Sequence, residues 1–289
     1  MGWRHRVANV EAMSSVPNLI LNNGVEIPQL GYGVFKVPAE ETRQAVLMAL
    51  EAGYRHIDTA KLYDNEAAVG EAVRESGLMR DEVFVTTKLW NSDQGYDATM
   101  SAFDASMERL GFDVLDLYLI HWPTPARDMY VDTWRAMEKL YVGGRIRAIG
   151  VSNFQPDHLR RLLDKSDVVP VINQIELHPY LQQTEARKAH EELGVLTEAW
   201  GPIARGGELL EDPVITGLAD KHARTPAQVV LRWHVELGNV AIPKSVTPSR
   251  VEENLNVFDF ALDEEDIAAI AGLDRGERTG PDPDRLDGG

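Results

Sequence analysis

Residues 83–121 read VFVTTKLWNSDQGYDATMSAFDASMERLGFDVLDLYLIH, and this stretch decides the fold class. Its two ends, 83–88 and 115–121, are continuous apolar or β-branched runs, the pattern of strands buried on both faces of a parallel sheet. Between them, 98–110 carries apolar residues at helical spacing and is followed by Gly111, the residue type best suited to ending a helix. Strand, helix and strand in succession make one βαβ unit.

The same unit repeats on either side. Buried-strand patterns at 31–35, 55–59, 146–152, 171–176, 195–200 and 240–243 bring the number of strands to eight. Helical patterns fill the intervals at 39–52, 66–76, 131–142, 156–164 and 182–193, and a further pair opens at Val214 and Pro226. Gly53, Gly77, Gly143 and Gly194 join Gly111 just past helix ends. This alternation predicts an α/β fold, a (β/α)8 TIM barrel, with a doubly wound open sheet as the alternative. An open nucleotide-binding sheet carries GxGxxG after its first strand, whereas LGYGVFKVP at 30–38 has only Gly31 and Gly33 before a proline. The barrel is therefore favoured. Ahead of the first strand, Asn23-Gly24 within NLILNNGVEIPQL predicts a two-residue β-hairpin that plugs the barrel bottom.

Composition narrows the function. With 44% apolar and 26% charged residues, the chain of 289 has the make-up of a folded soluble domain. A net charge of −17 repels a phosphate backbone, so no nucleic-acid partner is expected, and an anion can be held only where cations and a helix N-terminus gather. The absence of cysteine excludes disulfides, thiolate metal sites and cysteine nucleophiles. The eight histidines form no His-x-His pair, so no metal site is expected and a metal-dependent barrel hydrolase fits poorly. No apolar stretch is long enough to span a membrane and the N-terminal residues lack a signal-type apolar segment, so a cytoplasmic location without a membrane partner is expected. Residues 1–16 are polar and aperiodic, read as a disordered extension, which leaves 17–289 as one domain ending in a polar tail, GPDPDRLDGG.

In a barrel the chemistry sits at the C-terminal strand ends. Four reactive side chains fall there: Asp58 in YRHIDTA, Tyr63 in KLYDNE, Lys88 closing VFVTTK and His121 closing LDLYLIHWP. Singly, each has a structural reading as a helix cap, a rim aromatic, a surface cation or a core histidine. Together they form a device for polarising a carbonyl. A tyrosine, with an ordinary pKa of about 10, becomes a better proton donor beside a cation. Lys88 supplies the cation, Asp58 can pair with it, and His121 can orient a substrate oxygen.

GYRHIDTAKLYDNE, FVTTKLW, LYLIHWP, GVSNF and IPKSVTPSRVEEN follow one another in the order and spacing of the aldo-keto reductases, and the chain resembles that family from about residue 18 to 274. The resemblance implies a (β/α)8 barrel that uses NADPH without a Rossmann fold. It matches Asp58, Tyr63, Lys88 and His121 to the family's catalytic tetrad, with Tyr63 as general acid during hydride transfer to a carbonyl carbon. Ser152, Asn153 and Gln174 are strand-end polar groups suited to the nicotinamide carboxamide, with turn hydrogen bonding as their plainer reading. Trp200 stands where the family stacks an aromatic, most often tyrosine, on the nicotinamide. Gly201 stands where it often offers a hydroxyl to the pyrophosphate, and Pro202 and Ile203 continue that segment. Lys244, Ser245, Thr247 and Arg250, with the backbone around Val246, gather two cations at a helix start and match the 2′-phosphate site, against a plainer reading as a solvated loop. Glu253 and Asn254 match the adenosine contacts, so NADPH is expected over NADH. Phe35, Trp90 and Trp122 match pocket-lining positions.

Short connections at 122–129 and 201–211 and the polar tail resemble the bacterial branch, in particular the 2,5-diketo-D-gluconate reductases. They imply an open pocket suited to α-dicarbonyls, keto-sugar acids or aldehydes, and the family resemblance implies a monomer. The competing function is a nucleotide-sensing module of the same fold with little turnover.

Overall fold

The sheet is built in the computed structural model, which describes residues 16–286, from strands laid down in chain order. An antiparallel pair comes first, β1 (Asn18–Ile20) and β2 (Glu26–Pro28). Eight parallel strands follow: β3 (Tyr32–Gly33), β4 (His56–Asp58), β5 (Phe84–Leu89), β6 (Leu115–Ile120), β7 (Ile146–Ser152), β8 (Ile172–Glu176), β9 (Leu196–Trp200) and β10 (Val240–Ala241). Each pairs with the next. The seam between first and last is closed by Gly31 N donating to Ala241 O at 2.8 Å, Ala241 N to Gln29 O at 3.0 Å and Gly33 N to Pro243 O at 3.1 Å. The sheet is thus a barrel without free edges, the (β/α)8 architecture expected from the alternation.

Helices cover the outside: α1 (Ala39–Ala52), α2 (Glu66–Glu75), α3 (Tyr96–Leu110), α4 (Tyr130–Val142), α5 (Pro156–Leu163), α6 (Thr184–Leu193), α7 (Glu208–Glu211), α8 (Pro213–His222), α9 (Pro226–Glu236), α10 (Pro248–Leu255) and α11 (Glu264–Ala271). The single turn of α7 is too short to show a period in the sequence. The strands predicted at 31–35 and 240–243 keep two residues each in the ladder, their neighbours bonding across the closing seam instead. Gly77 follows the end of α2 in the left-handed region (φ 77°), as expected, whereas at the end of α4 the left-handed residue is Gly144 (φ 71°), one position after the predicted Gly143. The predicted extension lies outside the described residues except for Val16, which is half-buried against the core.

The hairpin plugs the bottom, with one correction to its turn. Leu21 N donates to Val25 O at 2.8 Å, so three residues, with Gly24 left-handed at φ 84°, make the loop rather than two. Leu21 and Ile27 pack against Phe84, Leu117, Leu119, Ala148, Ile172 and Val240. Asn22 seals the contact by donating to the carbonyls of Pro170 and Gly194 at 3.1 and 3.0 Å.

Alternate residues of each strand point into the barrel, which sorts the interior into layers. Phe84, Leu117, Ile172 and Val240 fill the bottom. Gly150 faces this region because a Cβ there would lie 2.8 Å from Ile172 O. Two residues further along their strands come His56, Thr86, Gln174 and Glu198, then Asp58 and Lys88, all buried. The barrel therefore changes from apolar to ionisable on the way to its C-terminal mouth.

Candidate active site

Asp58 ends β4, Lys88 is the penultimate residue of β5, His121 directly follows β6, and Tyr63 closes a short 3-10 turn, Lys61–Tyr63, after β4. The barrel brings the four together. Lys88 Nζ donates to Asp58 Oδ1 at 2.6 Å and to Thr59 O at 2.9 Å, and lies 3.4 Å from the Tyr63 hydroxyl. Lys88 is 0% and Asp58 2% exposed, which rules out a surface cation and an exposed cap. Burial alone would lower the ammonium pKa, but Asp58 and Tyr63 outweigh it and Lys88 is shifted upward and stays charged.

Burial raises the Tyr63 phenol above its ordinary value and outweighs the opposing pull of Lys88. The cation acts in the expected direction, yet Tyr63 holds its proton more firmly than a free tyrosine. His121 is held well below the usual histidine range by burial and by Lys88, so its ring is neutral. Its Nδ1 is buried without a hydrogen-bond partner among the described residues.

Aromatic rings surround this cluster. Phe35 packs on Tyr63 at 5.0 Å, Trp90 meets the His121 ring edge-on at 5.1 Å, and Trp122 stacks along it at 6.5 Å between centroids. Phe35 is 44% exposed and forms the outer lip. The 122–129 connection is stitched to the loop after β5: Gln94 Nε2 donates to Trp122 O at 2.7 Å, Thr124 Oγ1 to Gln94 Oε1 at 2.8 Å, and Arg127 reaches Asn91 O. An ion pair between Lys61 and Asp93 lies along the same rim. Loop-to-loop bonds of this kind leave no periodic trace in a sequence.

The expected carboxamide contacts gather beside the tetrad. Gln174 Nε2 donates both to Asp58 Oδ2 at 2.8 Å and to Glu198 Oε2 at 2.9 Å, leaving its oxygen as the group to offer a ligand. Ser152 Oγ donates to Gln174 O at 2.8 Å. Asn153, left-handed at φ 63°, donates to His121 O and to Ser152 Oγ, each at 3.0 Å, and accepts from Trp200 Nε1 at 2.8 Å. Its amide hydrogens are both engaged, so it ties His121, Ser152 and Trp200 into one unit.

The expected phosphate contacts lie on two loops. After Trp200, Gly201 is left-handed at φ 59° with open space where a Cβ would stand, Pro202 is buried and Ile203 is half-buried. Ala204 and Arg205 also have positive φ, a strain of about 1–3 kcal/mol per residue that tends to persist at functional loops. On the second loop Lys244, Val246, Thr247 and Arg250 are exposed around the start of α10, and Ser245 accepts from Thr247 N at 3.2 Å. Neither Lys244 nor Arg250 pairs with a carboxylate among the described residues, although acidic residues outnumber basic ones 46 to 29. Asn254 is buried, and Glu253 accepts from Thr225 Oγ1 at 2.7 Å. An open glycine backbone, two unneutralised cations and a helix N-terminus fit a dinucleotide carrying an additional phosphate.

Two buried carboxylates beside the site were not singled out from the sequence. Glu198 sits inside the barrel, and Glu176 ends β8. Glu176 accepts from the backbone N and the hydroxyl of Thr279 (2.6 Å from the latter) and from Gly280 N at 3.1 Å. The described part of the polar tail has no regular element, but it is fastened across the barrel mouth, and this makes the site less open on that side than the sequence implied.

The aldo/keto reductase family model matches residues 29–275. The chain belongs to the aldo/keto reductase family. It is 58% identical over 267 residues to an aldo-keto reductase of Mycolicibacterium smegmatis, covering 92% of this chain and 97% of that one. It is 51% identical over 274 residues to the methylglyoxal reductase DkgA of Salmonella typhimurium, covering 94% and 99%. Among solved structures, a mutant of Gox0644 in complex with NADPH superposes with a TM-score of 0.90 at 48% identity, covering 94% of this chain and 99% of that one. This aldo/keto reductase is thus an oxidoreductase of the bacterial type resembled by its motifs. No helix among the described residues is long and apolar enough to cross a membrane.

Proposed function

We propose that this aldo/keto reductase reduces small polar carbonyl compounds, α-dicarbonyls and related aldehydes or keto-sugars, with Tyr63 as the general acid and NADPH as the reductant. The observation that carries the reading is the buried Asp58–Lys88–Tyr63 line opening beside the neutral ring of His121. When bound, NADPH supplies a hydride to the carbonyl carbon and leaves as NADP+.

The protein's own residues do the rest. His121 donates a hydrogen bond to the substrate oxygen and fixes the direction of the carbonyl. Tyr63 gives its proton to that oxygen as negative charge develops, yielding the alcohol, and Lys88 steadies the phenolate until solvent returns the proton. Asp58 and Thr59 O hold Lys88 in place. Gln174 and Ser152 face the carboxamide, Trp200 supports the nicotinamide ring, and Lys244 and Arg250 take the 2′-phosphate. Phe35, Trp90 and Trp122 exclude water around the reacting carbonyl.

The names of relatives such as the methylglyoxal reductase agree with small dicarbonyl substrates. The test is NADPH consumption by the purified protein against methylglyoxal, glyoxal, aromatic aldehydes and keto-sugars, beside Tyr63→Phe. Turnover that drops by about 10²–10⁴ in the variant while NADPH still binds is expected. Equal turnover in the two proteins would remove Tyr63 from the role, and tight binding without turnover of any carbonyl would favour the sensing module.

A further inference from the structure

The barrel holds a buried carboxyl that the mechanism above leaves unused. Glu198, in the middle of β9, is 0% exposed, and its Oε2 is fixed by the Gln174 amide. The same amide nitrogen holds Asp58 Oδ2, and Asp58 Oδ1 holds Lys88. An amide nitrogen has two hydrogens, so Gln174 is clamped between two carboxyl groups. A continuous line of contacts therefore runs from Tyr63 through Lys88, Asp58 and Gln174 to Glu198.

At the far end of this line, Glu198 Oε1 has no hydrogen-bond partner among the described residues. The nearest nitrogen that could carry charge is His56 Nε2 at 3.8 Å, beyond hydrogen-bond reach and itself 3.1 Å from Thr86 Oγ1. The groups facing Glu198 are His56 and Asp58 from β4, Lys88 from β5 and Gln174 from β8, with Glu176 one inward position nearer the mouth. Its partner on β10, Val240, carries no charge. Burial keeps His56 neutral, down to about 3. Burial and the neighbouring Asp58 push the Glu198 carboxyl up to about 8. Beneath Lys88 the barrel therefore gains a negative charge as Glu198 ionises.

We propose that Glu198 is a positioning residue for the reduction: it locks the Gln174 amide against Asp58, and its protonation state sets the charge beneath Lys88 and hence how firmly Tyr63 keeps its proton. This rests on the role given to Tyr63 above. An added negative charge in the barrel strengthens the hold on the phenolic proton, so ionised Glu198 extends the alkaline range over which Tyr63 can serve as acid.

The experiment is the pH dependence of kcat for carbonyl reduction in the wild type, Glu198→Gln and Glu198→Asp. The alkaline limb in Glu198→Gln is expected to move down by on the order of one pH unit, the effect of one elementary charge within about 10 Å at an effective dielectric of about 20. The ratio of variant to wild-type rate then falls along that limb, above the ordinary tyrosine value of about 10, where the variant's phenol loses its proton first, and Glu198→Asp, which keeps a titrating carboxyl, restores the limb. A purely structural role would lower the rate by the same factor at every pH, and that result, or coincident limbs, overturns the inference. The Tyr63 phenol is also titrated directly, as the ultraviolet phenolate signal of each protein minus that of its Tyr63→Phe counterpart. This titration needs no substrate, so an inactive wild type would sink the proposed function while the phenol shift still decides the inference.

Discussion

A Cβ built on Gly280 would lie 2.4 Å from the Trp200 indole, so the C-terminal tail and the aromatic platform of the site touch across the barrel mouth. An alanine at 280 cannot be absorbed by a flexible chain end, since the clash is with a rigid ring that is also held by Asn153. Gly280→Ala is expected to displace the ring or the tail at a cost of about 1–3 kcal/mol, the range for overpacking. NADPH affinity, read from tryptophan fluorescence, should weaken by about threefold or more, together with a lower Tm. Unchanged values of both would mean that the tail yields freely.

Glu176 holds the tail by electrostatics. Burial alone would raise its carboxyl pKa, but the donors of His178 and Thr279 outweigh that and bring it below the usual value. A carboxylate with a lowered folded pKa adds stability above its unfolded pKa of about 4.3, and this is lost as pH falls through the folded value. Glu176→Gln should therefore cost about 1–3 kcal/mol at pH 7 and narrow the gap to wild type below pH 4. Urea unfolding at both pH values checks the sign. A gap that widens in acid would contradict it.

The sequence exposed Lys88 and His121 because each falls at the end of a run that is otherwise apolar or β-branched. Lys88 in VFVTTK and His121 in LYLIHWP are conspicuous where only packing residues are needed. Glu198 in VLTEAW gives the same local signal. Its meaning depends on Gln174 and Asp58, which lie on other strands and are brought alongside only by barrel closure. Thr279 and Glu176, 103 positions apart, likewise meet through the path of a tail that has no period to read. The hairpin loop misled for a local reason, since Asn23-Gly24 suits a two-residue turn as well as the three-residue turn fixed by the Leu21–Val25 bond.

Asn153 offers a test of positioning rather than chemistry. Its side chain joins the His121 carbonyl, the Ser152 hydroxyl and the Trp200 indole. Asn153→Ala removes all three links and places alanine at a φ of 63°, which asparagine tolerates better. A fall in kcat of about tenfold or more is expected, with a weakened nicotinamide site. Asn153→Asp, which keeps the acceptor for Trp200 Nε1, should retain more affinity for NADPH than the alanine variant, and the reverse order would show that the indole bond is not what matters.

Lys244 and Arg250 decide between the two nicotinamide cofactors if the added phosphate of NADPH rests on them. Both side chains are exposed at the start of α10 and without a carboxylate partner among the described residues, so no internal ion pair must break when a phosphate arrives. A charge-assisted hydrogen bond contributes about 1.5–3 kcal/mol, so Lys244→Ala or Arg250→Ala should weaken NADPH by about 10–100-fold. NADH has no group for either side chain to grip there and should change by less than about threefold. Because the contact faces solvent, NADPH affinity of the wild type should also fall with added salt more steeply than that of either variant. Equilibrium titration of both cofactors at two salt concentrations checks all three expectations. Equal losses for NADPH and NADH would move the phosphate site away from this loop.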